Sequence, residues 1–157
     1  MRISDIYTPD VVTVEIDDTV LDAARRMREA HVGDVVVVED AEVSTKPVGI
    51  LTDRDIVVSL IAEGSDQLDR SIVGDAMTQT PLVVHADEDV DSVLDLMDTH
   101  GVRRVPVVDD DERLVGILSF DDYVDFMRHR MDALAGVVTT EISHEVDRDR
   151  PRGPEGE

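Results

Sequence analysis

Two short polar signatures, each closing an apolar run, are the residues of this chain best suited to chemistry. Thr52 is followed three positions later by Asp55, after Gly49-Ile50-Leu51. Ser119 is followed three positions later by Asp122, after Gly116-Ile117-Leu118. A hydroxyl where a strand gives way to a helix can cap that helix and donate to a phosphate, and the backbone amides there are a general anion site. A carboxylate in the first helical turn is kept ionised and ordered by the helix dipole. Arg103-Arg104, flanked by apolar residues just before another apolar run, supply the opposite charge, whereas the first copy carries Gly33-Asp34 there. A polar signature used twice implies paired sites near a pseudo-twofold axis.

The duplication extends well beyond these signatures. A shift of seventy positions aligns Asp5 with Asp75, Thr8 with Thr78, Val14 with Val84 and Asp17 with Asp87. It also pairs Val20 with Val90, Met27 with Met97, Val32 with Val102 and Val35 with Val105. A three-residue deletion in the second copy then brings Val48-Gly49-Ile50-Leu51 onto Val115-Gly116-Ile117-Leu118 and Asp55 onto Asp122.

Each copy therefore predicts the same elements. A leading segment (Ile3 to Tyr7; Ile72 to Met77) runs into a short extended stretch, Val11 to Val14 or Leu82 to Val84. Asp17-Asp18-Thr19 and Asp87-Glu88-Asp89 supply cap oxygens and first-turn acids for a helix. Val20, Ala23, Ala24 and Met27 fall on one face of that helix, as do Val90, Val93, Leu94 and Met97 in the second copy. Buried strands follow at Val35–Val38 and Val105–Val108, then at Pro47–Leu51 and Leu114–Leu118, with closing helices starting at Asp53 and Asp121. The predicted class is α/β (α+β): two pseudo-twofold-related β-α-β-β-α repeats in one compact module. Repeat 1 spans 3–62, a linker 63–71, repeat 2 spans 72–130, and 131–157 is a C-terminal extension. Val137-Val138 is a candidate extra strand, and the Pro- and Gly-bearing stretch from Asp147 to Glu157 reads as a disordered tail.

Composition narrows the function classes. The net charge is −22, with 26 aspartates among 37 acidic residues and Lys46 as the only lysine. Short, well-hydrated carboxylates spread along the chain suit a salt-rich cytosol, where the screening length falls to about 3 Å and repulsion is muted. A halophilic source is the expectation. Such charge disfavours DNA and anionic membranes, which need a basic face. With 3% aromatic residues the chain also lacks stacking platforms for single-stranded nucleic acid. There is no cysteine, and no apolar run approaches the ~20 residues of a membrane span, so a cytoplasmic protein is expected.

Other constellations carry little. The five histidines show no metal-ligand spacing, and no P-loop, nucleophile-elbow or dinucleotide fingerprint occurs. Asp109-Asp110-Asp111 reads as a solvated turn rather than a cation site. No metal, catalytic residue or catalytic cofactor is expected, so enzymatic activity is not expected either.

The duplicated architecture, the Gly-x-x-Thr/Ser-x-x-Asp ending in both copies and Arg104-Val105-Pro106-Val107-Val108 resemble the cystathionine-β-synthase (CBS) domain, in tandem a Bateman module. The likeness covers about residues 3 to 128. It implies a regulatory module that binds AMP, ADP, ATP or S-adenosylmethionine in clefts between the repeats and acts on an effector protein, commonly as a homodimer. It further implies that Asp55 and Asp122 hold ribose, whose vicinal hydroxyls one carboxylate can accept through its two oxygens. Thr52 and Ser119 would hold phosphate, and Val12 and Leu82 would sandwich the adenine. Basic residues at the position of Arg103 and Arg104 often face phosphates in this family, with Arg54 partly offsetting Asp34 in the first copy. The cleft with Ser119, Asp122 and Arg104 is therefore expected to prefer phosphorylated ligands, and the alternative is a ligand-free structural or oligomerisation module. Which cleft receives Arg103 stays open.

Overall fold

The computed structural model describes residues 1–42, 44–64, 68–79 and 82–148, with side chains to residue 136. Residues 1–122 form one compact unit and residues 123–157 a second. After a 3-10 turn at Ile3–Asp5, the first repeat runs β1 (Thr13–Glu15), α1 (Val20–Ala30), β2 (Asp34–Asp40), β3 (Ser44–Thr52) and α2 (Asp53–Asp55). A π-helical stretch, Ile56–Ile61, continues α2. The second repeat runs α3 (Val73–Ala76), β4 (Thr78–Gln79), β5 (Val84–His85), α4 (Val90–His100), β6 (Arg104–Val108), β7 (Leu114–Ser119) and α5 (Phe120–Arg148).

Local chemistry sets these elements. Thr19 caps α1, its hydroxyl oxygen accepting from the Asp22 amide at 3.1 Å, and Asp89 caps α4, accepting from the Asp91 amide at 3.2 Å. Val20, Ala23 and Met27 of α1 and Val90, Val93 and Met97 of α4 are buried, as the periodicity predicts. Both helices end in a left-handed residue, Gly101 after α4 and His31 after α1.

The strands form a four-stranded sheet, β1-β2-β3-β4, and a three-stranded one, β5-β6-β7. In each, the first pair is parallel and the next antiparallel. Strand β4 precedes the second repeat's own strands, yet it pairs with β3 of the first repeat, Ile50 opposite Thr78. The mirror arrangement holds at the start of the chain: Thr8 and Ile117 exchange both amide-to-carbonyl bonds at 2.9 Å. The leading segments are thus swapped between repeats. The Ile3 and Ser4 amides donate to Glu88 and Ala86, while the Val73 and Gly74 amides donate to Asp18 and Ile16.

This swap explains the glycine of each signature. A Cβ on Gly116 would stand 2.0 Å from the Tyr7 ring and 2.8 Å from the Thr8 carbonyl oxygen. A Cβ on Gly49 would stand 2.3 Å from the Met77 sulfur and 3.1 Å from the Thr78 carbonyl oxygen. Only a bare Cα lets the partner repeat's leading segment lie this close.

Some expectations change. The closing helix of repeat 2 starts at Phe120 rather than Asp121, and Val137-Val138 is helical within α5 rather than a strand, as are Asp147 and Arg148. The rest of the expected tail, and Ser65 to Gln67 of the expected linker, lie outside the described residues. Among the described residues no helix is long and apolar enough to cross a membrane. In the second unit, α5 carries an Arg130–Phe126 cation–π contact at 5.7 Å and leaves Met127, Met131 and Leu134 exposed.

Gly116→Ala is expected to cost about 1–3 kcal/mol or more, because a rigid ring and a backbone oxygen must both retreat. Gly49→Ala is expected to cost less, since the Met77 side chain can swing aside. Urea denaturation of both variants checks the order; equal and negligible losses would contradict the close approach.

Candidate functional site between the repeats

Both Thr/Ser-x-x-Asp signatures fold into capping boxes. The Thr52 hydroxyl accepts from the Asp55 amide at 3.1 Å and donates to Asp55 Oδ2 at 2.8 Å, while the Thr52 amide donates to the same oxygen at 3.0 Å. The Ser119 hydroxyl accepts from the Asp122 amide at 3.0 Å and donates to Asp122 Oδ2 at 2.6 Å, with the Ser119 amide donating at 2.9 Å. In each aspartate Oδ2 is committed to the helix start. Oδ1 of both is without a hydrogen bond among the described residues, and all four residues are half-buried.

These bonds revise the expected chemistry. The hydroxyl protons point at the aspartates and are not left for a phosphate. Helix-start amides are also taken: Asp53 donates to the Gly33 carbonyl at 2.9 Å, Arg54 to Asp53 Oδ1 at 2.7 Å, and Phe120 to the Arg103 carbonyl at 2.9 Å. The expected anion site at the start of α2 is therefore filled by the protein's own acceptors, while at the start of α5 the Asp121 amide has no acceptor among the described residues. A carboxylate oxygen still offers two lone pairs, so Oδ1 alone, not both oxygens, is the acceptor available to a diol.

Each signature faces a cleft. The first, of about 200 Å³, is lined by Ile50, Thr52, Asp55, Thr78, Val102, Arg103 and Arg104. The second, of about 120 Å³, is lined by Thr8, Asp10, Val11, Val12, Val32, Asp34, Arg104, Ile117, Ser119 and Asp122. The clefts are pseudo-symmetric: Ile50, Thr78 and Val102 of one match Ile117, Thr8 and Val32 of the other. Each joins the closing signature of one repeat to the swapped leading segment and to the α-helix exit of the other repeat. A larger apolar hollow of about 450 Å³, lined by Leu94, Met97 and Phe120 among others, shares Val102 and Arg103 with the first cleft.

Of the predicted site residues, Thr52 and Asp55 meet Arg103 and Arg104, while Ser119 and Asp122 meet Val12 and Arg104. Arg104 lines both clefts, as expected beside Ser119 and Asp122, while Arg103 joins the first and Asp34 the second. Arg54 is exposed on α2 and lines neither cleft, so it offsets nothing there. Leu82 is half-buried and is not among the described residues lining the first cleft. Sequence reasoning did not assign Thr8, Thr78, Val32 or Val102 to the clefts; their pairing under the shift of seventy was the available signal.

Arg104 and Asp34 are pseudo-twofold mates that pair with each other, Nε to Oδ1 at 3.0 Å. Burial pushes the Asp34 carboxyl above its ordinary range, Arg104 pulls it down, and Asp53 and Asp122 push it up further. Because the fold favours the protonated form, this contribution to stability is present in acid and lost as pH rises through the raised value. The Asp34→Asn variant is therefore expected to gain stability relative to the natural chain between about pH 4 and about pH 7. Urea midpoints at both ends of that window check it; a difference that stays constant or moves the other way would contradict the shift.

The chain is similar to known proteins along most of its length. The CBS domain family matches residues 3–62 and 73–129. Protein YlbB of Bacillus subtilis is 36% identical over 149 residues, covering 94% of this chain and 95% of YlbB. Protein MK0525 of Methanopyrus kandleri is 34% identical over 122 residues, 78% of this chain but only 60% of that longer protein. Among solved structures, the CBS domain pair of protein MJ0100, crystallised with 5′-methylthioadenosine and S-adenosyl-L-methionine, superposes with a TM-score of 0.70 at 27% identity, covering 83% of this chain and 98% of that one. With both matches falling on the two halves of the duplication, the chain belongs to the CBS domain family as a tandem pair.

Proposed function

We propose that this pair is a regulatory sensor that binds an adenosine-containing ligand (AMP, ADP, ATP or S-adenosylmethionine) between its repeats and alters how an effector protein meets it. The observation that carries this reading is that Asp55 and Asp122 each line a cleft, half-buried, with only Oδ2 engaged in the capping bonds. A half-buried carboxylate with one oxygen outside the capping bonds, in a cleft also lined by valine and isoleucine, suits a ribose diol beside a flat base. The adenosyl ligands bound by the MJ0100 pair support the same class. Ligand would favour one arrangement of the repeats by its differential affinity, and the partner would read that arrangement. The reading assigns no catalysis and no catalytic cofactor.

Exposed Val57, Val58 and Ile61 on the π-helical stretch, and Met127, Met131 and Leu134 on α5, support pairing of two copies. The acid-rich, lysine-poor composition supports a halophilic archaeal source and a cytoplasmic setting. The second reading, a ligand-free structural module, draws on the capping boxes, which are complete without a ligand.

Thermal unfolding at high salt with saturating AMP, ATP or S-adenosylmethionine separates the two. A ligand at one hundred times its Kd stabilises by about 2.7 kcal/mol, which raises the midpoint on the order of 5–10 °C for a chain of this size. An unchanged midpoint with all three ligands would leave only the structural reading.

A further inference from the structure

The two clefts differ in charge more than in shape. In the first, Asp55 shares the lining with two arginines, Arg103 and Arg104. In the second, Asp10, Asp34 and Asp122 share the lining with a single arginine, Arg104. Arg104 does not serve both equally, because Asp34 holds its Nε at 3.0 Å with a side chain only 11% exposed. Arg103 is 73% exposed and bound at 3.2 Å to Asp121, itself on the surface, so it can swing toward an anion at little cost. The mate of Arg103 in the second cleft is Gly33, which offers no donor side chain, and a Cβ there would meet Asp53 Oδ2 at 3.3 Å.

At α2 the amides and hydroxyl that would ordinarily receive a phosphate are already bonded within the protein, and at α5 the Ser119 hydroxyl and the Phe120 amide are bonded too. Discrimination between anionic and non-anionic ligands then falls on side-chain charge. We propose that the clefts are sorted by charge: the Asp55 cleft takes 5′-phosphorylated adenosine through Arg103, while the Asp122 cleft takes adenosine derivatives that are neutral or cationic at the 5′ position, with Asp34 excluding phosphate. This rests on the sensor reading and extends it to ligand class. A phosphate entering the Asp122 cleft would approach three carboxylates with one already neutralised guanidinium. A sulfonium or amine entering it finds ready partners.

Titration calorimetry on the full chain with AMP, 5′-methylthioadenosine and S-adenosylmethionine tests the assignment. AMP is expected to bind once, S-adenosylmethionine to prefer the other site, and Asp55→Asn and Asp122→Asn to weaken them selectively in that order. Arg103→Gln is expected to weaken AMP about tenfold and methylthioadenosine much less. Asp34→Asn is expected to weaken S-adenosylmethionine about tenfold and raise the AMP stoichiometry toward two. Asp10→Asn, at an exposed position, gives the same direction for S-adenosylmethionine without touching the Asp34–Arg104 pair. AMP binding twice with equal affinity to the natural chain, or Arg103→Gln weakening all three ligands alike, would overturn the sorting while leaving the sensor reading intact. Binding of none of the three would overturn the sensor reading and the sorting with it.

Discussion

The swap of leading segments is the constraint on which the rest of the structure depends. Thr8 lies against Ile117 and Thr78 against Ile50, so each repeat's closing strand is completed by the other repeat's first residues. Ile3 and Val73, both fully buried, anchor the two segments. Neither repeat can therefore close its sheet edge or fill its core alone, and the pair behaves as one folding unit. Gly49 and Gly116 are the consequence in sequence, since any side chain there would occupy the space of Met77 or Tyr7.

The same swap creates the clefts. Because each leading segment lies beside the other repeat's closing strand, the capping boxes of α2 and α5 open toward the pseudo-twofold axis. There the helix exits bring in Val32 and Val102 with their neighbouring charges. On the axis itself the duplication has diverged. Asp34 and Arg104 occupy equivalent positions and form an ion pair, where two identical charges would repel. Opposite charges at mated positions avoid a like-charge clash on the axis and at the same time make the clefts unlike.

Much of this was legible in the sequence because it was local or repeated. The faces of α1 and α4, the caps at Thr19 and Asp89, and the paired signatures follow from spacing and turn chemistry. What was not legible was set by distant contacts. Nothing near Thr78 announces that its partner is Ile50, since strand partners are chosen by packing and not by local propensity. The cleft that receives Arg103 follows from the swap, so its assignment was out of reach. Val137-Val138 favours strand by residue type, yet it lies in a continuous helix from Phe120, where backbone hydrogen bonding is already propagated. The hydroxyl caps were anticipated, but not that the aspartates would close them into boxes and take the hydroxyl protons expected to meet phosphate.

The most direct test of the account is a crystal structure of the chain grown with AMP. The account predicts the ribose hydroxyls on Asp55 Oδ1, the phosphate against Arg103, and the capping bonds of Thr52 undisturbed. A nucleotide seated elsewhere, such as the apolar hollow beside α4, with Asp55 Oδ1 left to water, would contradict it.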